Sequence, residues 1–156
     1  MLPISVNLSS LDFFEMDPFT IVEAATERYG ISHEYLHFEL TETAVVRDKG
    51  VLLRAIQKFH RAGYRVWLDD FGSGYSSLNV LKDYPFDMLK IDMVFLKRFS
   101  QKSQDIILSI VRMAKKIGIH TLAEGVETEE QLRFLRSIGC ERIQGYHYGK
   151  PMTPET

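Results

Sequence analysis

Two adjacent carboxylates, Asp69 and Asp70, directly follow an apolar run that ends at Leu68. Ionised aspartate is rarely buried unless it is paired or bound to a metal ion. The other extended segments of the chain have the same design, because each is apolar early and polar late. We predict that the late polar residues converge on one site, the alternative being that some are helix caps or solvated strand ends. These residues are Asn7, Glu39, Asp69, Asp70, Lys90, Asp92, Glu124 and Gln144.

Six members of this set are oxygen donors that suit Mg²⁺ or Mn²⁺. They are the carboxylates of Glu39, Asp69, Asp70 and Glu124 and the amides of Asn7 and Gln144. Paired acids commonly bridge two metal ions about 3.5–4 Å apart, an arrangement that drives in-line displacement at phosphorus. Lys90 would hold a nucleophilic water or a phosphate oxygen. The single cysteine excludes a cysteine ligand cluster, and the five histidines lack zinc-type spacing. The residues therefore favour metal-dependent phosphoester chemistry.

The elements that would position these residues alternate between strand and helix. Helical segments separate most of the strands, although the segment 76–84 has room for only a helical turn or two. Such alternation predicts an α/β fold with parallel strands and crossover helices, and ligand sites in such folds lie at the carboxyl ends of the strands. The six candidate strands are "ISVNLS", "HFELTE", "VWLDDF", "DMLKID", "HTLAEGV" and "RIQGYHY".

Helix boundaries and apolar stripes support this reading. Asp17 and Pro18 suit a helix start, and Thr128 with Gln131 matches a capping box. Four helical segments end in glycine, the residue that most readily adopts the left-handed conformation past a helix end. We expect apolar stripes at helical spacing to face the core. The predicted stripes are Leu52, Ile56, Phe59 and Ala62; Ile106, Ile110, Ala114 and Ile117; and Leu132, Leu135 and Ile138.

Asp69 and Asp70 present a geometric problem, since neighbouring strand residues point to opposite faces. Both can reach one site only if the strand ends there, and we expect Gly72 and Gly74 to mark that end. Trp67 and Phe71 are interpreted as packing residues rather than base-stacking residues.

Composition describes an ordinary globular domain. The chain has 156 residues and a formal charge of -2, with 45% hydrophobic residues, so we predict one domain over 1–156. This charge points to neither a nucleic-acid polymer nor a membrane surface as partner. One cysteine indicates a reducing compartment, hence a cytoplasmic location. We see no signal peptide and no apolar run near the roughly 18 residues of a membrane span.

Six motifs lie along nearly the whole chain: "SVNLS", "ELTET", "LDDFGSGYSSL", "DMLKIDMVFL", "LAEGVET" and "QGYHYGKPM". Together, and in this order, they resemble the EAL domain, the bacterial phosphodiesterase of cyclic di-GMP. The resemblance implies a modified (β/α)8 barrel that hydrolyses one phosphodiester of cyclic di-GMP to linear pGpG, using two Mg²⁺ or Mn²⁺ ions.

The resemblance also implies residue roles. Asn7, Glu39 and Asp69 would bind a first metal ion, and Asp69 with Asp70 would serve a second. Lys90 would orient the attacking water, Glu124 would act as ligand or general base, and Gln144 would hydrogen-bond the water network. Glu42 would tether the loop 71–77, which couples metal binding to dimerisation in the family. The alternative is that Glu42 holds this loop for structural reasons only. Asp92, Glu127 and Tyr146 would contact the dinucleotide. Two alternatives stay open: Glu127 could be only an acidic residue of the first helical turn, and Tyr146 could be a core residue.

The chain departs from the family at its N-terminal side. The Glu-Ala-Leu sequence is absent, and the only Glu-Ala pair, Glu23–Ala24, lies between the first two motifs. A complete barrel needs about 250 residues. We therefore expect an incomplete TIM-type barrel of about six strands that lacks the first two strands and one glutamate ligand. Its open edges favour a homo-oligomer or another association.

Three readings of function follow. The first is a cyclic di-GMP phosphodiesterase domain, within a parent protein that could carry upstream sensor or GGDEF domains and a membrane link. The second is a catalytically incompetent fragment that acts as a cyclic di-GMP receptor or protein-interaction module. The third is a structural oligomer without a ligand. Retention of six site residues favours the first: Asn7, Glu39, Asp69, Asp70, Lys90 and Glu124.

Overall fold

The computed structural model describes residues 3–9, 12–41, 49–72 and 78–153. The polypeptide forms two compact units, Met1–Met88 and Leu89–Thr156. Within the described residues, six strands alternate with helices along the chain, as the sequence predicted.

The described part of the first unit contains three parallel strands. β1 (Ile4–Leu8) pairs with β2 (Leu36–Thr41), and β2 pairs with β3 (Arg65–Phe71). Where the structure describes the chain between and after these strands, it shows four helices and a 3₁₀ turn. These are α1 (Asp12–Glu15), α2 (Pro18–Tyr29), the turn His33–Tyr35, α3 (Lys49–Ala62) and α4 (Leu78–Asp83).

Aromatic side chains build the core between this sheet and its helices. Phe38 of β2 lies 4.5 Å from Phe59 of α3, measured between ring centroids, and 5.3 Å from Tyr64. The Tyr64 hydroxyl donates to Glu23 at 2.7 Å and lies 3.0 Å from Thr26 Oγ1. Burial raises the pKa of Tyr64 to about 12. This tyrosine therefore stays neutral and ties α2 to the start of β3.

The second unit begins within β4 (Met88–Ile91) and continues through α5 (Val94–Lys97), α6 (Gln101–Ile117), β5 (His120–Ala123), α7 (Glu129–Ser137) and β6 (Arg142–Ile143). β5 and β6 pair in parallel. The backbone N–H of Glu124 donates to Ile91 at 3.1 Å, which joins the end of β5 to β4. The helices cover a buried cluster that includes Leu96, Ile107, Val111, Leu132 and Leu135.

The boundaries confirm several sequence predictions. The four predicted helix-stop glycines, at 30, 63, 118 and 139, all have positive φ. Pro18 begins α2 after Asp17, and Thr128 forms the capping box with Gln131. α4 has six residues, which agrees with the short segment expected there. Trp67 and Phe71 are buried, as expected of packing residues.

The predicted stripe of α6 is confirmed at Ala114 and wrong at Ile106 and Ile117, while Ile110 is partly buried against the core. Ile106 and Ile117 are exposed, whereas Ile107, Val111 and Ala114 are fully buried. The helix has isoleucines at both 106 and 107, so spacing alone allowed two stripes. The stripe of α3 is confirmed by the burial of Leu52, Ile56 and Phe59, and that of α7 by the burial of Leu132 and Leu135.

Within the described residues, none of the helices has the length and apolar character needed to span a membrane.

Candidate metal and catalytic site

Three oxygen donors of the first unit share one face of its sheet. Asn7 lies opposite Glu39 on β2, and Asp69 of β3 lies opposite Thr41, two residues beyond Glu39. Side chains alternate along a strand, so residues at even spacing and in register point to the same face. Glu39 and Asp69 are buried, whereas Asn7 is exposed on β1. The structure thus places these three predicted ligands on a common surface near the strand ends.

The backbone conformation of Asp70 explains how the carboxylates of two neighbouring strand residues can lie close together. Asp70 has φ 56°, a left-handed conformation that is uncommon for a residue other than glycine. One carboxylate oxygen of Asp70 lies within 4.8 Å of one of Asp69, and the N–H of Asp70 donates to Asp69 Oδ1 at 2.9 Å. β3 continues through Phe71, and Gly72 follows it with φ 99°, which confirms that Gly72 marks the end of the strand. Gly74 lies outside the described residues.

A buried ion pair marks the second unit. Lys90 Nζ lies 2.9 Å from Glu124 Oε1, with 6% of the lysine and 21% of the glutamate side chain exposed. Lys90 stands on β4, and Glu124 directly follows β5. The structure brings together these two predicted residues in an environment where a lone charge would be costly.

The third predicted residue of this unit, Gln144, directly follows β6. Its N–H donates to Ala123 at 2.9 Å, and its carbonyl accepts from Val126 at 3.1 Å. Gly145 follows it against Val126, where a Cβ would lie 2.2 Å from the backbone nitrogen. The backbone after β6 is thus pressed against the backbone after β5.

The predicted dinucleotide contacts have varied surroundings. Asp92 accepts from Val94 N–H at 2.7 Å and so helps begin α5. Glu127 is exposed beside the cap of α7. Tyr146 is 58% exposed, which excludes the alternative of a core role, and Lys150 lies 5.7 Å from its ring centroid. Glu42 and most of the loop 71–77 lie outside the described residues.

Sequence reasoning missed residues that hold the loops. Gly125 and Gly145 allow close backbone approach, and the Gln131 amide bonds to α5 as well as to its own cap. The capping-box pattern predicted the bond between Gln131 and its own helix cap. No sequence spacing indicates the bond from Gln131 to Leu96 of α5. Cys140 is buried, and burial raises the pKa of its thiol.

The donor set fits a hard divalent cation. Its members in the first unit are oxygen donors only, which is the chemistry that Mg²⁺ and Mn²⁺ prefer. Lys90 adds a cation able to bind water or a phosphate oxygen.

Known proteins are similar along almost the entire chain. MucR of Pseudomonas aeruginosa, a bifunctional diguanylate cyclase and cyclic di-GMP phosphodiesterase, is 38% identical over 154 residues, which are 97% of this chain and 22% of MucR. The solved PaMucR phosphodiesterase in complex with c-di-GMP superposes with TM-score 0.91 and 36% identity, covering 98% of this chain and 63% of that one. This likeness confirms the α/β barrel-type fold.

A second solved structure carries a metal. Klebsiella pneumoniae BlrP1, in a manganese and c-di-GMP complex, superposes with TM-score 0.89 and 29% identity, covering 96% of this chain and 39% of that one. The chain thus spans less than two thirds of MucR, of its solved phosphodiesterase and of BlrP1. The EAL domain model matches residues 1–151. With the motifs in order and the strand-end residues in place, the chain belongs to the EAL domain family.

Proposed function

We propose that this chain hydrolyses one phosphodiester of cyclic di-GMP to linear pGpG in bacterial second-messenger signalling. The observation that carries the proposal is the shared face of Asn7, Glu39 and Asp69 in a member of the EAL family. The phosphodiesterase activity for which MucR is named and the c-di-GMP bound to its solved phosphodiesterase support the same substrate.

We assign Mg²⁺ or Mn²⁺ to the oxygen donors. Asn7, Glu39 and Asp69 would hold one ion, and Asp69 with Asp70 a second. Manganese in the BlrP1 complex supports this class of metal. When bound, such ions lower the pKa of water and stabilise charge on phosphate oxygens.

The chain's own residues orient the reactants. Lys90 would donate hydrogen bonds to the attacking water, and Glu124, its ion-pair partner, would act as ligand or general base. Gln144 would bond the water network. Asp92, Glu127 and Tyr146 would contact the dinucleotide, and Glu42 would anchor the loop 71–77.

Three further assignments accompany this function. We place the single domain 1–156 in the cytoplasm, since one cysteine suits a reducing compartment. We infer association with a second copy through the exposed β1, where Ile4 is 61% exposed. Upstream sensor or GGDEF domains would deliver the signal.

The test follows pGpG formation by chromatography after mixing the chain with cyclic di-GMP and Mn²⁺. We expect Asp69→Asn to lower turnover by about 100-fold or more, because a metal ligand is lost. Asp105→Asn is the matched control, since Asp105 is an exposed acid of α6 that accepts only from Gln101 among the side-chain bonds described. Normal turnover by Asp69→Asn would refute the metal site. Binding of cyclic di-GMP without hydrolysis by the unmodified chain would support the receptor instead.

A further inference from the structure

The side chain of Gln131 makes three hydrogen bonds while only 7% of the residue is exposed. Its Oε1 accepts from the backbone N–H of Glu127 at 2.9 Å and from that of Thr128 at 3.1 Å. Its Nε2 donates to the carbonyl of Leu96 at 3.0 Å. The amide group therefore has a partner at both ends, and its burial fixes the direction of each bond.

Helix capping explains only part of this arrangement. A capping box requires one bond from the third helical residue back to the cap residue, and Thr128 provides the reciprocal bond at 3.2 Å. The bond to Leu96 reaches 35 residues back along the chain, into α5. Leu96 lies in the last turn of a four-residue helix, where carbonyls have no partner within the helix. Gln131 thus satisfies both an α7 cap and an α5 carbonyl.

A second contact joins the same two segments. Gly125 has φ 72°, and a Cβ built there would lie 2.4 Å from Met93 Cβ. Because real Cβ atoms do not approach so closely, the backbone after β5 rests directly against the start of α5. Leu96 and Leu132 belong to one buried cluster beneath this contact. The loop after β4 and the loop after β5 are therefore held together at two points.

These loops extend from the strand ends that carry the proposed chemistry. Lys90 and Asp92 lie at the end of β4. Glu124 and Glu127 lie in the segment 124–128, whose last two N–H groups bond to the Gln131 amide. We propose that Gln131 is a positioning residue, which fixes the backbone of residues 124–128 against α5 and so holds Glu124 and Glu127 in place relative to Lys90. This inference rests on the proposed function for its catalytic consequence, but not for the positioning itself.

The test compares two substitutions at this position. Gln131→Glu keeps an oxygen to accept from Glu127 and Thr128, but it sets a carboxylate against the Leu96 carbonyl. Gln131→Met has a similar length and makes none of the three bonds. We therefore expect the glutamate variant to lose stability but keep the cap, and the methionine variant to release the segment 124–128.

Amide hydrogen exchange measured by NMR reports how firmly the backbone of residues 124–128 is held, and it needs neither metal nor substrate. We expect the Glu127 and Thr128 amides to exchange about tenfold faster in Gln131→Met, and within about threefold of the unmodified chain in Gln131→Glu. In hydrolysis of cyclic di-GMP with Mn²⁺, we expect kcat to fall about 10–100-fold in Gln131→Met with a smaller change in KM, since misplacement acts on the reacting groups. In Gln131→Glu, which keeps the bonds to Glu127 and Thr128 but loses the bond to Leu96, we expect kcat to fall as well, but by less than in Gln131→Met.

Thr128→Ala is the matched control for a purely structural role. It removes the hydroxyl that caps Gln131 N–H and so weakens α7, but it leaves the amide of Gln131 its three bonds. If kcat falls in step with stability across all three variants, Gln131 is only structural and the inference is refuted. Unchanged exchange at Glu127 and Thr128 in Gln131→Met would refute it as well. Failure of the unmodified chain to hydrolyse cyclic di-GMP refutes the proposed function alone, because exchange still tests the positioning.

Discussion

Lys90 and Glu124 form an ion pair with 2.9 Å between Nζ and Oε1, on side chains that are 6% and 21% exposed. Taking either charge out of water is costly, and each side chain offsets the cost of the other. The pair joins β4 to the end of β5 in the second unit, where the backbone bond from Glu124 to Ile91 runs in parallel. The same two residues therefore contribute to stability and to the proposed chemistry.

Substitution of Glu124 should separate these contributions. In Glu124→Gln, Lys90 keeps a neutral acceptor but loses its counter-charge, so we expect the free energy of unfolding to fall by about 2–3 kcal/mol. Hydrolysis should fall by about 100-fold or more, as expected when a general base or ligand is removed. Urea unfolding and pGpG formation measure the two effects.

The double variant Glu124→Gln with Lys90→Met provides the control. Removing both charges should recover part of the lost stability but none of the activity. A double variant whose stability loss equals the sum of the single losses would show that the pair does not couple.

The strand ends could be predicted from the sequence because each apolar strand segment and the polar residue that follows it are adjacent in the chain. Apolar runs followed by Asn7, Glu39, Asp69, Lys90 and Glu124 gave both the element and the end that carries chemistry. The structure adds that β4 is buried along its whole length, including Lys90.

Other features depend on backbone geometry or on contacts that are distant in sequence. The left-handed φ of Asp70 could not be predicted from the sequence, because aspartate adopts that conformation more readily than most residues but still in a minority of cases. The burial of Ile107 rather than Ile106 depends on how α6 is rotated against its cluster. The bond from Gln131 to Leu96 spans 35 residues, beyond the reach of any local pattern.

Gly145 should tolerate no side chain. A Cβ there would lie 2.2 Å from both the nitrogen and the oxygen of Val126, and backbone cannot move aside as a flexible side chain can. We expect Gly145→Ala to displace the loop after β6, including Gln144, and to lower stability by about 2–3 kcal/mol. Thermal unfolding measures the loss.

Gly149→Ala is the matched control, since a Cβ at Gly149 meets nothing within 4 Å. We expect this variant to unfold within about 0.5 kcal/mol of the unmodified chain. Equal stability of the two alanine variants would show that the loop after β6 yields easily.

Replacing Thr121 by valine should stabilise the folded chain. Its side chain is fully buried on β5, and within the described part of the chain its Oγ1 has no hydrogen-bond partner. Valine has the same shape and suits a strand, so Thr121→Val should raise the free energy of unfolding by about 1–2 kcal/mol. Urea unfolding of Thr121→Val and of Thr121→Ser, which keeps the hydroxyl, gives the comparison. Loss of stability in the valine variant would indicate a buried water bonded to the hydroxyl.

Asp17 should stabilise the chain only above acidic pH. Its carboxylate accepts from Lys58 Nζ at 2.8 Å and from Thr20 at 2.7 Å, and the bond to Lys58 is the main cause that lowers the pKa of Asp17 below its ordinary value of 3.8. A group whose pKa is lower in the folded state contributes stability above its unfolded pKa and loses it as the pH falls through the folded pKa.

Asp17→Asn should therefore cost about 0.5 kcal/mol at neutral pH, a small value because both side chains are about half exposed. The difference from the unmodified chain should vanish once the pH is well below 3.8, where Asp17 is protonated in both states, and it should shrink in about 1 M salt. Urea unfolding of both chains at neutral and acidic pH measures the difference. A cost that stays constant over this range would mean that the asparagine fails through its shape or its capping, and that the charge of Asp17 contributes nothing.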